Sequence, residues 1–163
     1  MFKKLLCLLS VFAVFSLQAQ ESDYIPNNPI GEAKGIYPGR VTWVRDAKVC
    51  TWNGADGKWW EDTSIDQKRL DKMFDKSIKA LTGEKNLKKA WEKLFVSYNQ
   101  SNGRGSQGWK EGESIVVKIN LNNCFTENDV DNEIDQSTQS TRSLLRHLTE
   151  YAGVSQDCIV IYD

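Results

Sequence analysis

The residues best placed to do chemistry lie near the ends of two apolar stretches in the last third of the chain. Lys118 and Asn120 are two positions apart at the end of SIVVKINL, and Asp163 directly follows CIVIY. In open α/β sheets, ligands bind beyond the carboxyl ends of the strands. Residues two apart also share one face of a strand. The sequence therefore predicts one site formed by these three residues.

A site of this composition would bind a small polar molecule, an anion or a metal ion. Lys118 would supply positive charge, and Asp163 would act as a base or as a metal ligand. Asn122 and Asn123 would add hydrogen bonds to a ligand. Lys118, Asn120 and Asp163 are the candidate catalytic residues, but they indicate no reaction class and no cofactor. The alternative is a structural ion pair, because a buried lysine without a partner is costly.

The elements that position these residues form a strand–helix–strand unit. Residues 114–121 and 158–162 are short runs rich in β-branched residues, and a helical apolar pattern lies between them. Such a unit has parallel strands joined by a right-handed crossover, and continuously apolar strands are typical of a sheet covered on both faces. The expected fold class is α/β, an open and mostly parallel sheet with a C-terminal βαβ unit.

A first strand and two helices are predicted before that unit. Residues 40–45 (RVTWVR) have the alternation typical of a strand. Ser64 and Gln67 fit a capping box at the start of a helix that ends at Gly83. A second helix carries an apolar stripe over residues 87–98.

The first residues have the three parts of a secretory signal peptide. Lys3 and Lys4 are positive, residues 5–17 are apolar apart from two serines, and Ala19 is a small residue suited to cleavage. The apolar run is shorter than the roughly 20 residues of a membrane-spanning helix, and no later segment is apolar enough to span a membrane. We expect residues 1–19 to be removed and the protein to be exported to the periplasm or the medium, with an uncleaved anchor as the alternative.

The remaining chain is expected to hold one domain after a short lead-in. Residues 20–39 contain all three prolines, which predicts an extended lead-in to a domain over residues 40–163. The 21 basic residues of the chain become 19 without Lys3 and Lys4, against 22 acidic ones. This balance favours neither a nucleic acid nor an anionic membrane as a partner.

Three cysteines remain after the signal peptide, which allows one disulfide in an oxidising compartment. Cys124 follows one predicted strand and Cys158 begins the other. In a parallel pair these positions are roughly 15–20 Å apart, at about 3.3 Å per residue, whereas a disulfide needs Cα atoms within about 7 Å. Any disulfide should therefore join Cys50 to Cys124 or to Cys158.

Four stretches of the chain, taken in order, resemble the N-terminal part of bacterial exported proteins of the domain of unknown function 362 family. They are GRVTWVRDAKVCTWNG with GKWWEDTSIDQ, then ALTGEKNLKKAWEKLF, EGESIVVKINLN and LLRHLTEYAGVSQDCIVIYD. The resemblance implies an α/β fold and no particular activity. Because relatives continue beyond the final Tyr-Asp, it also implies that residues 40–163 are the first part of an incomplete, truncated domain.

The leading hypothesis is an exported protein of unknown activity that binds a small polar or anionic ligand, or a metal, at its strand ends. One alternative is a non-catalytic protein that binds carbohydrate or the cell envelope through exposed tryptophans. Trp59 and Trp60 are the first candidates, because adjacent residues cannot both face inward on a strand. The other alternative is a truncated fragment without function.

Two further motifs are predicted to have no catalytic or metal-binding role. His147 is the only histidine, and without a partner motif it is expected on a helix surface. The acidic stretch 129–135 lacks the glycine and glutamate that an EF-hand requires.

Overall fold

Three α-helices and a two-stranded parallel sheet make up the part of the chain that the structure describes. The structure, a computed structural model, describes residues 27–28, 30–121 and 136–163. The chain divides into two units, Met1–Glu32 and Ala33–Asp163, and every element belongs to the second. The elements are a 3₁₀ turn (Asp62–Ser64), α1 (Gln67–Thr82), α2 (Leu87–Ser101), β1 (Ile115–Lys118), α3 (Thr138–Arg146), a π-helical turn (His147–Tyr151), a second 3₁₀ turn (Gln156–Cys158) and β2 (Ile159–Tyr162). Within these described ranges, no helix is long and apolar enough to cross a bilayer. The predicted signal peptide lies outside them.

Side-chain and backbone caps fix the ends of α1. The Asp66 carboxylate accepts a hydrogen bond from the backbone N–H of Arg69 at 3.1 Å, which satisfies a free donor of the first turn. The prediction that Ser64 caps this helix is therefore wrong, and Ser64 is instead buried in the preceding 3₁₀ turn. Gly83 ends α1 as predicted, with a φ of 73° that a residue without Cβ adopts without steric cost.

The two strands confirm the predicted strand–helix–strand unit. They pair in parallel, with a register that runs from Ile115 opposite Ile159 to Lys118 opposite Tyr162. One face of this sheet packs on the core, whereas Val116 remains 60% exposed. The expectation of a sheet covered on both faces is therefore not met among the described residues.

The predicted first strand does not form: no described strand pairs with it, and its side chains bind a helix instead. Residues 40–46 keep a two-residue alternation of burial but belong to no sheet. The hydroxyl of Thr42 lies 3.0 Å from that of Ser77 on α1. Farther along, Arg69 of α1 donates to Asp46 at 3.0 Å. The segment therefore runs antiparallel to α1 and uses its inward side chains to bind that helix.

A buried hydrogen-bonded chain joins all three helices at His147. The indole N–H of Trp91, on α2, donates to Nδ1 of His147 at 3.1 Å. Nε2 of His147 lies 2.8 Å from a carboxylate oxygen of Asp75, on α1. The prediction of a surface histidine is wrong, since His147 has no exposed area. Both ring nitrogens are bonded, which makes its burial tolerable. The buried apolar residues of this core are Ile78, Leu87, Ala90, Leu148 and Val154, together with Trp91.

A row of polar contacts continues this link between α1 and α3. Gln67, Asp71 and Asp75 follow at intervals of four on α1 and therefore share one face. The buried hydroxyl of Ser143 donates to Asp71 at 2.7 Å, and the Gln67 amide donates to Ser143 at 3.0 Å. Arg146 binds Asp75 at 3.0 Å. The two helices thus meet through hydrogen bonds and an ion pair as well as through apolar packing.

Trp91→Phe tests the buried chain, because it keeps an aromatic ring but removes the only donor to Nδ1 of His147 within the described contacts. We expect the free energy of unfolding, measured by urea denaturation, to fall by about 1–3 kcal/mol. Trp43→Phe is the matched control at a side chain that is 81% exposed, and it should change stability by less than about 0.5 kcal/mol. Equal losses in the two variants would contradict this role of Trp91.

Candidate functional site

Lys118 is the last paired residue of β1, and Asp163 directly follows β2 beside it. Nζ of Lys118 is 3.4 Å from a carboxylate oxygen of Asp163, and it donates to the carbonyl of Ile119 at 2.9 Å. The same Asp163 oxygen accepts the backbone N–H of Leu121 at 3.2 Å. The two side chains are 54% and 45% exposed. The structure therefore brings these two predicted residues together, as an ion pair open to solvent.

The other residues predicted for this site contribute less. Asn120 is exposed, and its carbonyl accepts the backbone N–H of Gln136 at 2.8 Å. Asn122 and Asn123 lie outside the described residues. Within the described ranges, no three His, Cys, Asp or Glu side chains come together as a metal site.

The described cysteines lie apart from the strand-end pair and are not joined to each other. Cys50 and Cys158 form no disulfide with each other. The remaining predicted pairing involves Cys124, which lies outside the described residues.

The tryptophans proposed as a carbohydrate platform are not arranged as one. The rings of Trp59 and Trp60 meet edge to face, with centroids 5.7 Å apart and an angle of 87° between their planes. Both side chains are half-buried, and Nζ of Lys58 lies 5.2 Å from the centre of the Trp60 ring. The highly exposed tryptophan of the described chain is Trp43.

A larger concave surface lies between α2, the connector that follows it and the start of β1. This surface, called here the aromatic cleft, has a volume of about 750 Å³. That volume is within the roughly 300–1,000 Å³ of small-molecule sites. Its principal side chains are Trp91, Phe95, Tyr98, Arg104, Trp109 and Glu113. The cleft is at the opposite end of β1 from the site that the sequence predicted.

Hydrogen bonds hold the walls of the aromatic cleft in place. The buried Asn99 amide of α2 donates to the carbonyls of Gln107 and Gly108 at 2.8 and 3.2 Å. The indole N–H of Trp109 donates to the carbonyl of Glu113 at 2.9 Å. The connector between α2 and β1, residues 102–114, is thus tied to the helix, and the Trp109 ring is fixed over the cleft.

Arg104 supplies the positive charge of the aromatic cleft. It lies on the exposed connector, where its backbone N–H donates to the carbonyl of Asn99 at 2.8 Å. Its guanidinium makes no ion pair with a carboxylate of the described residues. The cleft therefore combines aromatic walls with a cation that is free to bind an anion. The sequence analysis did not predict this combination, because the cleft residues come from a helix, a connector and a strand and share no local pattern.

The contacts of His147 fix its protonation state. An indole N–H is a donor only, so Nδ1 of His147 accepts and the ring proton is on Nε2, directed at Asp75. Burial lowers the pKa of His147, although the hydrogen bond and charge of Asp75 oppose this shift. A neutral, fully buried histidine positions helices and does not contact substrate. The intervals of four between Asp71 and Asp75 and between Ser143 and His147 were its only sequence signal.

Comparison with known proteins assigns no family to the chain. No family model matches it, and no match was found among curated proteins or solved structures.

Lowering the pH from 7.5 to 5.5 should destabilise the protein through His147. Because the pKa of His147 is lowered by folding, the unfolded state binds a proton from about pH 6.5 downward, before the folded state does. The neutral ring therefore contributes fully to the free energy of unfolding above about pH 6.5, and this contribution is lost as the pH falls below that value. Urea denaturation at several pH values would measure the slope.

His147→Gln is the control for this pH dependence. It retains a donor for Asp75 but removes the titrating ring, so the slope of unfolding free energy between pH 7.5 and 5.5 should flatten. An unchanged slope in this variant would assign the pH dependence to other groups.

Proposed function

We propose that the protein is exported and binds a small ligand in the aromatic cleft. Export is supported by the positive Lys3 and Lys4, the apolar residues 5–17 and the small Ala19. Ligand binding is supported by one observation above the others. This is a cleft of about 750 Å³ with aromatic walls and an arginine that makes no ion pair with the described residues. Membership of the domain of unknown function 362 family is likewise a proposal, and it would add no activity.

The chemistry of the cleft favours a ligand with an apolar ring and an anionic group. The Trp91 and Phe95 rings have centroids 5.8 Å apart and a tilt of 35°, and Tyr98 is 59% exposed beside them. Such surfaces favour flat, apolar rings. Arg104 would form charge-assisted hydrogen bonds with a carboxylate or sulfonate of that ligand.

The cleft favours binding over catalysis. Glu113 is its only carboxylate among the described lining residues, and one of its oxygens accepts the backbone N–H of Lys110 at 2.8 Å. The lining residues include neither histidine nor cysteine. General acid–base or nucleophilic chemistry needs an activated group within reach of the ligand. The described lining offers no such pair.

Binding of 1-anilinonaphthalene-8-sulfonate tests the proposal, because this fluorescent probe combines aromatic rings with a sulfonate. We expect saturable binding to one site in the folded protein at neutral pH. Tyr98→Ala and Arg104→Gln should each raise the dissociation constant about three- to tenfold, because each removes one exposed contact with the probe. Fluorescence titration measures the constants, and far-ultraviolet circular dichroism checks that each variant is folded.

Arg142→Gln is the matched control, since Arg142 is an exposed arginine on α3 that does not line the aromatic cleft. It should leave the dissociation constant unchanged. Equal weakening by Arg104→Gln and Arg142→Gln, or non-saturable binding, would overturn the proposed site.

The strand-end pair supports a second candidate function, the binding of a small polar or anionic ligand or a metal. The observation that favours it is the 3.4 Å approach of Lys118 to Asp163 at adjacent carboxyl ends, where ligands bind in open α/β sheets. An anionic ligand there would have to displace the Asp163 carboxylate from Lys118. The aromatic cleft is the better candidate, because its arginine has no such competitor within the described residues.

Thermal unfolding with inorganic phosphate tests the strand-end site. A true site predicts a saturable rise in melting temperature that Lys118→Ala abolishes and that Lys110→Ala, an exposed control, retains. If the residues form only a surface ion pair, phosphate should act equally on all three proteins. Lys118→Ala should then cost less than about 1 kcal/mol.

A further inference from the structure

A strongly basic groove lies between residues 44–47 and the first half of α1, away from both candidate sites. Its volume is about 530 Å³. The lining contains five cationic side chains and two carboxylates, an excess of three positive charges. The cations are Arg45, Lys68, Arg69, Lys72 and Lys76. The whole chain, by contrast, has a net charge of −1. The groove is therefore a local concentration of charge that the overall balance conceals.

Most of this positive charge has no ion-pair partner among the residues that the structure describes. Arg69 takes up both carboxylates of the groove, Asp46 at 3.0 Å and Asp66 at 3.4 Å. Lys68, Lys72 and Lys76 are exposed and make no ion pair with the described residues. They recur at intervals of four and thus form one row along the helix. Three neighbouring like charges repel one another, so an anionic partner would relieve a real cost.

Two large apolar side chains stand in solvent on the segment that leads into residues 44–47 of the groove. Val41 and Trp43 are 88% and 81% exposed. They alternate with Thr42, which faces α1, and they share their direction with Arg45, which lines the groove. The extended segment thus presents an aliphatic residue, a tryptophan and an arginine in succession along one edge.

We propose that this surface docks on an anionic phospholipid bilayer. Positive charge alone would suit any polyanion, but the exposed Trp43 and Val41 gain only from a partner that also removes them from water. The interface of a bilayer offers anionic head groups for the lysines and a layer in which tryptophan is favoured. The lysine stems can lie on apolar surface while their ammonium groups reach the phosphates. This docking is independent of the aromatic cleft.

Vesicle flotation tests this docking surface with the full chain. The probe is a vesicle of phosphatidylcholine with 30% phosphatidylglycerol, compared with a vesicle of phosphatidylcholine alone. The triple variant Lys68→Gln, Lys72→Gln, Lys76→Gln should lower the partition coefficient on anionic vesicles on the order of 100-fold. Trp43→Ala should lower it about tenfold at unchanged charge. The apolar residues 5–17 are common to every variant, so the differences report the docking surface.

The control is the triple variant Lys88→Gln, Lys89→Gln, Lys110→Gln, which removes the same charge from other exposed positions. It should bind anionic vesicles like the wild type. Equal losses in both triple variants would overturn the proposal, because they would show a response to net charge alone. Binding to the soluble polyanion heparin that is as sensitive to Trp43→Ala as vesicle binding would also overturn it, in favour of an acidic glycan partner.

Discussion

The hydrogen-bonded chain from Asp75 through His147 to Trp91 is the constraint on which the rest of the described fold depends. Among the described contacts, it is the point at which side chains join α1, the end of α3 and α2 together. A buried imidazole tolerates few arrangements, since each nitrogen needs a partner of the correct polarity. The helices must therefore meet in one register. That register sets the α2 face that forms a wall of the aromatic cleft.

Helix α1 carries two rows of polar residues, one facing α3 and one lining the basic groove. The second row is offset from the first by a single position. Gln67, Asp71 and Asp75 face α3, whereas Lys68, Lys72 and Lys76 form the outer basic row. Successive residues on a helix are about 100° apart, so the two rows follow neighbouring directions over a little more than two turns. The interior row is held by hydrogen bonds and an ion pair to α3. The outer row is held by nothing in the described chain and is free for a partner.

Features that depend on a short stretch of sequence were predicted better than features that depend on contacts between residues far apart in the chain. The helices around Leu87 and Leu144, the stop at Gly83 and the parallel strands all follow from short patterns, and the structure has them. The strand expected at residues 40–45 has the correct alternation, but α1 takes the place of a partner strand. His147 looked like a surface residue because its partners are 56 and 72 positions away. No local pattern reports such pairs, and the aromatic cleft was missed for the same reason.

The π-helical turn at His147–Tyr151 has a consequence for how this chain can vary. Its bond from Ala152 N–H to the carbonyl of His147, at 3.0 Å, spans five residues, so it takes up one residue more than an α-helical turn. Loss of a single residue there would leave an ordinary α-helical turn. The turn is therefore a position in the described fold at which the chain can lose one residue and keep its helical winding.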